Sequence, residues 1–251
     1  MMTLAGKSIL VTGATGGIGR PLVKILAAQG ARPIIHYGRK KKDAEALLEE
    51  ISGNGAVVHA DLTIPSEARE LWQRAERAAG EIYALVNNAG IRSEVTVNAD
   101  PVTWASTWER EFRVNFFAAA DLCKEAVQHF IPRKGGRIVS IASRAGQRGY
   151  AADAMPYGAS KAALINLSRS LARSFGEHGI VSVAVAPGWV RTEMVEGLLD
   201  RVGEEAATAD IPIGRMADPQ EVAEIVAFAL QPSQMSINGA TIDVNGGSYI
   251  R

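Results

Sequence analysis

The stretch Thr12-Gly13-Ala14-Thr15-Gly16-Gly17-Ile18-Gly19 decides how this chain is read. An apolar run, residues 8–12, leads into it, and a helix-like stretch, residues 22–28, follows. Four glycines in eight positions permit a tight turn and let backbone N–H groups approach a phosphate at the start of the next helix. Strand, glycine-rich turn and helix in that order point to a bound nucleotide; a purely structural turn is the competing reading. The spacing Gly13, Gly17, Gly19 does not match the G-x-G-x-x-G fingerprint.

Outward from this turn the same alternation continues. Strand-like runs occupy residues 8–12, 33–37, 56–60, 84–87, 137–142, 180–186 and 240–244, and helix-like stretches occupy 22–28, 44–51, 66–79, 114–130, 157–175 and 219–230. The strand runs are rich in Val and Ile without strict alternation, as expected of strands buried on both faces. Strands alternating with helices give βαβ units and a parallel sheet. At 251 residues the chain could hold one large α/β domain or two small ones; with no linker and no internal repeat, one domain over residues 1–251 is expected. Residues 189–216 break the rhythm. They follow the C-terminal end of a strand, where open α/β sheets bind ligands, and read as a substrate lid rather than a surface loop with a short helix.

Composition excludes several classes. The 27 basic and 27 acidic residues cancel, which disfavours nucleic acid as a partner. Cys123 is the single cysteine; it can form neither an internal disulfide nor a zinc knuckle and reads as a small core residue. No apolar run reaches the roughly 18 residues of a membrane span, and the start carries no secretory pattern. The expectation is a cytoplasmic protein with no membrane partner and no metal.

The end of the second strand bears on the cofactor. An acidic residue there would accept hydrogen bonds from an adenosine ribose and favour NAD. The chain instead runs His36-Tyr37-Gly38-Arg39-Lys40-Lys41-Lys42, with no carboxylate before Asp43. Arg39 or Lys40 would pair a 2′-phosphate, so NADP(H) is preferred; a solvated basic start to the next helix is the alternative, and NAD(H) stays open.

Tyr157 and Lys161 stand four apart at the start of a long helix-like stretch, on the face continued by Leu164, Leu171 and Phe175. A lysine at the core-facing end of a helix is costly unless its charge is used; snorkelling to solvent is the other outcome. A phenol titrates near 10, and a neighbouring ammonium favours its phenolate, giving a group that can donate and accept a proton near neutral pH. Ser143, just past the fifth strand run, could hydrogen-bond a substrate carbonyl, with Ser140 inside the run as the alternative. Asn115 opens another helix-like stretch; Asn disfavours helix interiors, which suggests a specific hydrogen-bonding role.

Together these residues, with Asn87-Asn88-Ala89-Gly90 and Pro187-Gly188, resemble the short-chain dehydrogenase/reductase family over residues 6–247. The group of 3-oxoacyl-acyl-carrier-protein reductases is the most similar, through Pro212-Ile213-Gly214-Arg215 and Asn245-Gly246-Gly247. The resemblance implies a Rossmann-type doubly wound sheet of strand order 3-2-1-4-5-6-7. It implies Tyr157 as the acid that protonates the carbonyl oxygen, and Lys161 as the residue that lowers the phenol's pKa and binds the nicotinamide ribose. Ser143 would orient the carbonyl, and Asn115 would hold a water in a proton relay. The cofactor would rest on Gly13, Thr15, Gly17, Ile18 and Gly19; on Tyr37, Gly38 and Arg39; on Asp61 and Leu62 beside the adenine; and on Asn88, Ala89 and Gly90. Pro187, Gly188, Val190 and Thr192 would flank the nicotinamide.

The resemblance further implies a homotetramer or homodimer and a small carbonyl or alcohol substrate, with a carrier-bound acyl thioester as one form. Arg144, Arg148, Arg191 and Arg215 could line a basic mouth for a carrier; Trp189 and Gln147 are candidates to face substrate, and Trp104 and Trp108 to pack. Relatives that use NADP often carry a basic residue where this chain has Gly16. An NAD-dependent alcohol or sugar dehydrogenase is the rival enzyme. A nucleotide-sensing binder without catalysis is the non-enzyme rival, and it would show a broken tetrad, which this chain does not.

Overall fold

A computed structural model describes residues 4–251; residues 1–3, where the expected domain begins, lie outside the described residues. The expected strand runs form β1 (Ser8–Val11), β2 (Arg32–Tyr37), β3 (Ala56–His59), β4 (Ala84–Asn87), β5 (Gly136–Ile141), β6 (Ile180–Pro187) and β7 (Thr241–Val244). They pair in parallel as one seven-stranded sheet in the order β3-β2-β1-β4-β5-β6-β7. Every residue of β1, β4, β5 and β6 is buried, because helices cover both faces.

Successive side chains of a strand point to opposite faces, and the two cores divide accordingly. Val11, Val86, Val139 and Val183 pack against Leu22, Val23 and Leu26 of α1 (Gly19–Ala28) and Val222 and Val226 of α10 (Pro219–Ala229). Their neighbours Leu10, Leu85 and Ile138 pack against Leu71 and Trp72 of α3 (Glu67–Ala79) and Leu122, Cys123 and Phe130 of α5 (Ala118–Phe130). Each such buried side chain contributes roughly 1.5–3 kcal/mol. Cys123 is a core residue, as its context suggested: burial pushes its thiol up to about 12. The α2 helix (Lys41–Glu50) follows β2.

One stretch differs from expectation. The helix-like segment at 114–130 is the second half of a longer helical run that begins with α4 (Pro101–Phe112) and passes through a π-helical turn at Arg113–Phe117. No helix was expected at α4, whose start is capped: the Asp100 side chain accepts from the N–H groups of Val102 and Thr103 at 3.0 Å, and Pro101 takes the first turn. Trp104, Trp108 and Phe112 then pack in series, with ring centroids 5.7 and 6.0 Å apart. Asn115 therefore lies within a bulged turn of a continuous helical run, the kind of local distortion that often carries function.

After β5 come a short α6 (Ala145–Arg148) and the long α7 (Met155–Phe175). Residues 189–216, read as a lid, contain two helices, α8 (Glu193–Val202) and α9 (Glu204–Thr208). The strand order reverses between β1 and β4, so the carboxyl ends of β1, β4, β5 and β6 open on one crevice.

Candidate active site

The glycine turn sits at the crevice and is braced from three directions. Gly13 has φ +60°, and a Cβ there would come within 2.9 Å of the Ala89 backbone. Its N–H donates to Nδ1 of His36 at 3.0 Å, and His36 Nε2, 3.1 Å from the Ala60 carbonyl, donates to it. Burial brings the His36 imidazole down from 6.5 to about 4, so it stands neutral. The Thr12 hydroxyl accepts from the N–H groups of Asn88 and Ala89 at 2.9 and 3.0 Å, and the Asn88 amide donates to the Thr12 and Gly13 carbonyls at 2.9 and 3.0 Å. A side chain at Gly17 would collide with Thr192, which seats the start of α8 on the turn.

Among the described residues the N–H groups of Thr15, Gly17, Ile18 and Gly19 have no hydrogen-bond partner, and α1 has no side-chain cap. Unpaired donors at a helix N-terminus suit an anion.

Beyond β2, Tyr37 stacks obliquely on His59 with ring centroids 5.2 Å apart, and Gly38 and Arg39 are exposed. The basic run is divided in use. Lys40 bonds Glu193 of α8 at 2.7 Å and Lys41 pairs with Glu45, whereas Arg39 has no ion pair among the described residues. Asp61 is exposed and accepts from Thr63, at 3.0 Å from its N–H and 2.7 Å from its hydroxyl, and these bonds hold its carboxyl below the usual range. Leu62 is buried beside it.

The second half of the crevice is made by β5, β6 and α7. Ser143 follows β5, where its hydroxyl accepts from the Ala145 N–H at 3.1 Å, and its influence opposes the burial that pushes the Tyr157 phenol up to about 12. Ser140, the alternative, is buried within β5 and accepts from Asn87 at 3.3 Å. Lys161 is 4% exposed, donates to the Ile141 carbonyl at 2.8 Å and lies 5.7 Å from the Tyr157 ring centre. Burial brings its ammonium down to about 8, while the carboxylate of Glu111 opposes that fall. Burial is the largest influence on the Tyr157 phenol, and the influences that oppose it come from Ser143 and Arg92.

Asn115 is fully enclosed. Its Oδ1 accepts from the Ile91 N–H at 2.8 Å, and its Nδ2 faces the Ile91 carbonyl, Glu111 and the Ser160 hydroxyl at 2.9, 3.0 and 3.1 Å. A Cβ on Gly90 would stand 3.3 Å from both Asn115 Oδ1 and Lys161 Nζ, so glycine gives the two the most room beside the backbone. Gly188 donates to the Val244 carbonyl at 3.0 Å, Pro187 accepts from the Arg144 N–H at 2.9 Å, and Val190 bridges to Ala217.

A family profile described as Enoyl-(Acyl carrier protein) reductase matches residues 13–249. The 3-oxoacyl-[acyl-carrier-protein] reductase FabG of Escherichia coli (strain K12) is 35% identical over 252 residues, covering 99% of this chain and 100% of that protein. A short chain dehydrogenase from Burkholderia cenocepacia J2315, solved in complex with NADP, superposes with TM-score 0.89 at 33% identity, over 98% of this chain and 99% of that one. A putative gluconate dehydrogenase from Agrobacterium tumefaciens gives TM-score 0.90 at 29% identity, over 98% and 97%. The chain belongs to the short-chain dehydrogenase/reductase family. It is therefore an oxidoreductase built on a Rossmann-type sheet.

In this short-chain dehydrogenase/reductase the tetrad positions Asn115, Ser143, Tyr157 and Lys161 converge, with Ser160 linking Asn115 to the Tyr157 carbonyl, to which it donates at 2.8 Å. Three other predicted contributors do not join them. Gln147 is tied to Asp243 at 2.8 Å, and Arg191 and Arg215 pair with Glu204 and Glu221. Sequence reasoning missed three braces: Thr12, His36 and Glu111. Glu111, 0% exposed, accepts from the Ser93 N–H at 3.0 Å as well as from Asn115. Its place one helical turn before Asn115 was the available signal.

Proposed function

We propose that this enzyme moves a hydride reversibly between NADP(H) and a ketone or secondary alcohol. The observation that carries the reading is Lys161, buried one helical turn along α7 with its ammonium 5.7 Å from the Tyr157 ring centre, and Ser143 at the end of β5 acting on the same phenol. The hydroxyls of Ser143 and Tyr157 at the end of this crevice suit a carbonyl oxygen that gains charge during reduction. The unpaired N–H groups of Thr15, Gly17, Ile18 and Gly19 fit a pyrophosphate, and the unpaired guanidinium of Arg39 fits a 2′-phosphate. Tyr37 and Gly38 would flank that phosphate, Asp61 and Leu62 the adenine, and Asn88, Ala89 and Gly90 the middle of the molecule. Pro187, Gly188, Val190 and Thr192 would hold the nicotinamide end. The name of the NADP-bound structural neighbour supports the same choice.

Bound there, the nicotinamide supplies the hydride. Tyr157, protonated at neutral pH, gives its proton to the carbonyl oxygen, and Ser143 orients that oxygen. Lys161 binds the ribose and stabilises the phenolate left behind. Asn115 holds the water of the relay that reprotonates it. Residues 189–216 act as the lid of one domain spanning residues 1–251. The exposed Phe117 and Ile250 suit the interfaces of a cytoplasmic homotetramer or homodimer. A 3-oxoacyl thioester is a candidate substrate through the names of the relatives.

The second reading is an NAD-dependent alcohol or sugar dehydrogenase. Gly16 in place of a basic residue, and the engagement of Lys40 by Glu193, favour it. Absorbance assays with NADPH and NADH against neutral ketones, acetoacetyl-CoA and crotonyl-CoA separate these readings. Ketone or 3-oxo turnover with at least about tenfold preference for NADPH supports the proposal; reduction of crotonyl-CoA alone refutes it. Tyr157→Phe should keep NADPH binding and lose turnover by about 10²–10⁴-fold.

A further inference from the structure

The cleft beside Tyr157, about 930 Å³ in volume, is lined by three guanidinium groups: Arg92, Arg144 and Arg148. We propose that Arg144, assisted by Arg148 and Arg92, forms a subsite for a carboxylate carried by the substrate itself, so that the ketone reduced is that of a small oxo acid. This rests on the carbonyl reduction proposed above and narrows its substrate.

Arg144 follows Ser143 directly and is 4% exposed. Its N–H is fixed on the Pro187 carbonyl, and its guanidinium lies 5.8 Å from the Trp189 ring centre. A guanidinium enclosed this deeply needs a counter-ion. The only carboxylate paired with it among the described residues is Asp210, which comes from the lid segment, is half-exposed, and is shared with Arg148 at 3.1 Å from each. One carboxylate between two five-donor forks leaves donors over for another. Arg92 sits 5.6 Å from the Tyr150 ring centre, pairs with Glu94, and keeps an Nε–H that is buried without an acceptor.

The Tyr150 ring is in turn 5.5 Å from that of Tyr157, which ties the cluster to the reacting end of the cleft. A surface patch that meets a carrier protein needs no buried arginine next to the catalytic serine. A carboxylate within the substrate does, because the planar fork binds it in two places and fixes the distance to the carbonyl.

The test measures kcat/KM with NADPH for 2-, 3-, 4- and 5-oxohexanoate against their methyl esters, pairs that differ in one charge, with acetoacetyl-CoA alongside. An acid should exceed its ester by about tenfold or more at one chain position, and Arg144→Gln should bring the ratio near one. Asp210→Asn, which removes the competing carboxylate, should raise the affinity for the acids. Preference for the esters or for acetoacetyl-CoA, or a ratio indifferent to Arg144→Gln, overturns the subsite. Should Arg144→Gln fail to fold, Arg148→Gln and Asp210→Asn decide by the same ratio. Where no carbonyl is turned over, calorimetry of the NADP-loaded protein with 3- and 5-hydroxyhexanoate separates the two proposals. Binding that Arg144→Gln weakens keeps the subsite and rejects the turnover reading, and no binding overturns the subsite.

Discussion

His36 links the pH dependence of folding to the glycine turn. Its imidazole accepts from Gly13 and donates to the Ala60 carbonyl, and burial takes its pKa from 6.5 to about 4, with the nearby charge of His59 adding to the fall and that of Glu67 opposing it. Between those values the unfolded chain binds a proton that the folded chain does not. The stabilisation from a neutral His36 is therefore whole above about pH 6.5 and declines as pH falls toward 4. At about 1.4 kcal/mol per unit, the full window amounts to about 3 kcal/mol. Protonated Nδ1 would also point a hydrogen at the Gly13 N–H and loosen the turn. His36→Gln keeps an acceptor and a donor but cannot titrate. Urea unfolding of both proteins from pH 7 to pH 4 should show wild type losing about 3 kcal/mol relative to the variant. A difference that stays flat with pH, or an imidazole that titrates near 6.5 by NMR, would refute the reasoning.

Lys161, brought down to about 8 by burial, should give kcat an alkaline limb: activity falls as pH rises through about 8. Glu111→Gln, which removes the carboxylate opposing that shift, should move the limb to lower pH in a stopped-flow pH series. Gly19→Ala would place a Cβ 2.5 Å from the Gly13 carbonyl oxygen and 2.7 Å from Ala14 Cα. It should destabilise by about 1–3 kcal/mol in thermal melts and weaken NADPH binding in fluorescence titration. Sedimentation at micromolar concentration should show a tetramer or dimer, and a monomer alone would refute the assembly.

The sheet was legible because its signals are local. β5 and β6 announce themselves as Val- and Ile-rich runs, and the turn at residues 12–19 stands out through its glycines between a strand run and a helix-like stretch. Tyr157 and Lys161 were legible through a four-residue spacing on one helix. Helix α4 was missed although Asp100-Pro101 marked its start, because Trp104 and Trp108 read as packing rather than as a helix face. Glu111 escaped because a buried carboxylate looks like a surface one until its partners are known.

By itself, then, the sequence determined the parallel sheet, the placing of the glycine turn and the identity of the residues able to do acid–base chemistry, since periodicity and residue type are properties of neighbours in the chain. Only the tertiary structure decided what those residues experience. That His36 is neutral under the turn, that burial raises the Tyr157 phenol, and that Arg144 shares one lid carboxylate with Arg148 all depend on groups far apart in the chain. Desolvation and Coulomb interactions act through space, and no spacing along the chain records them.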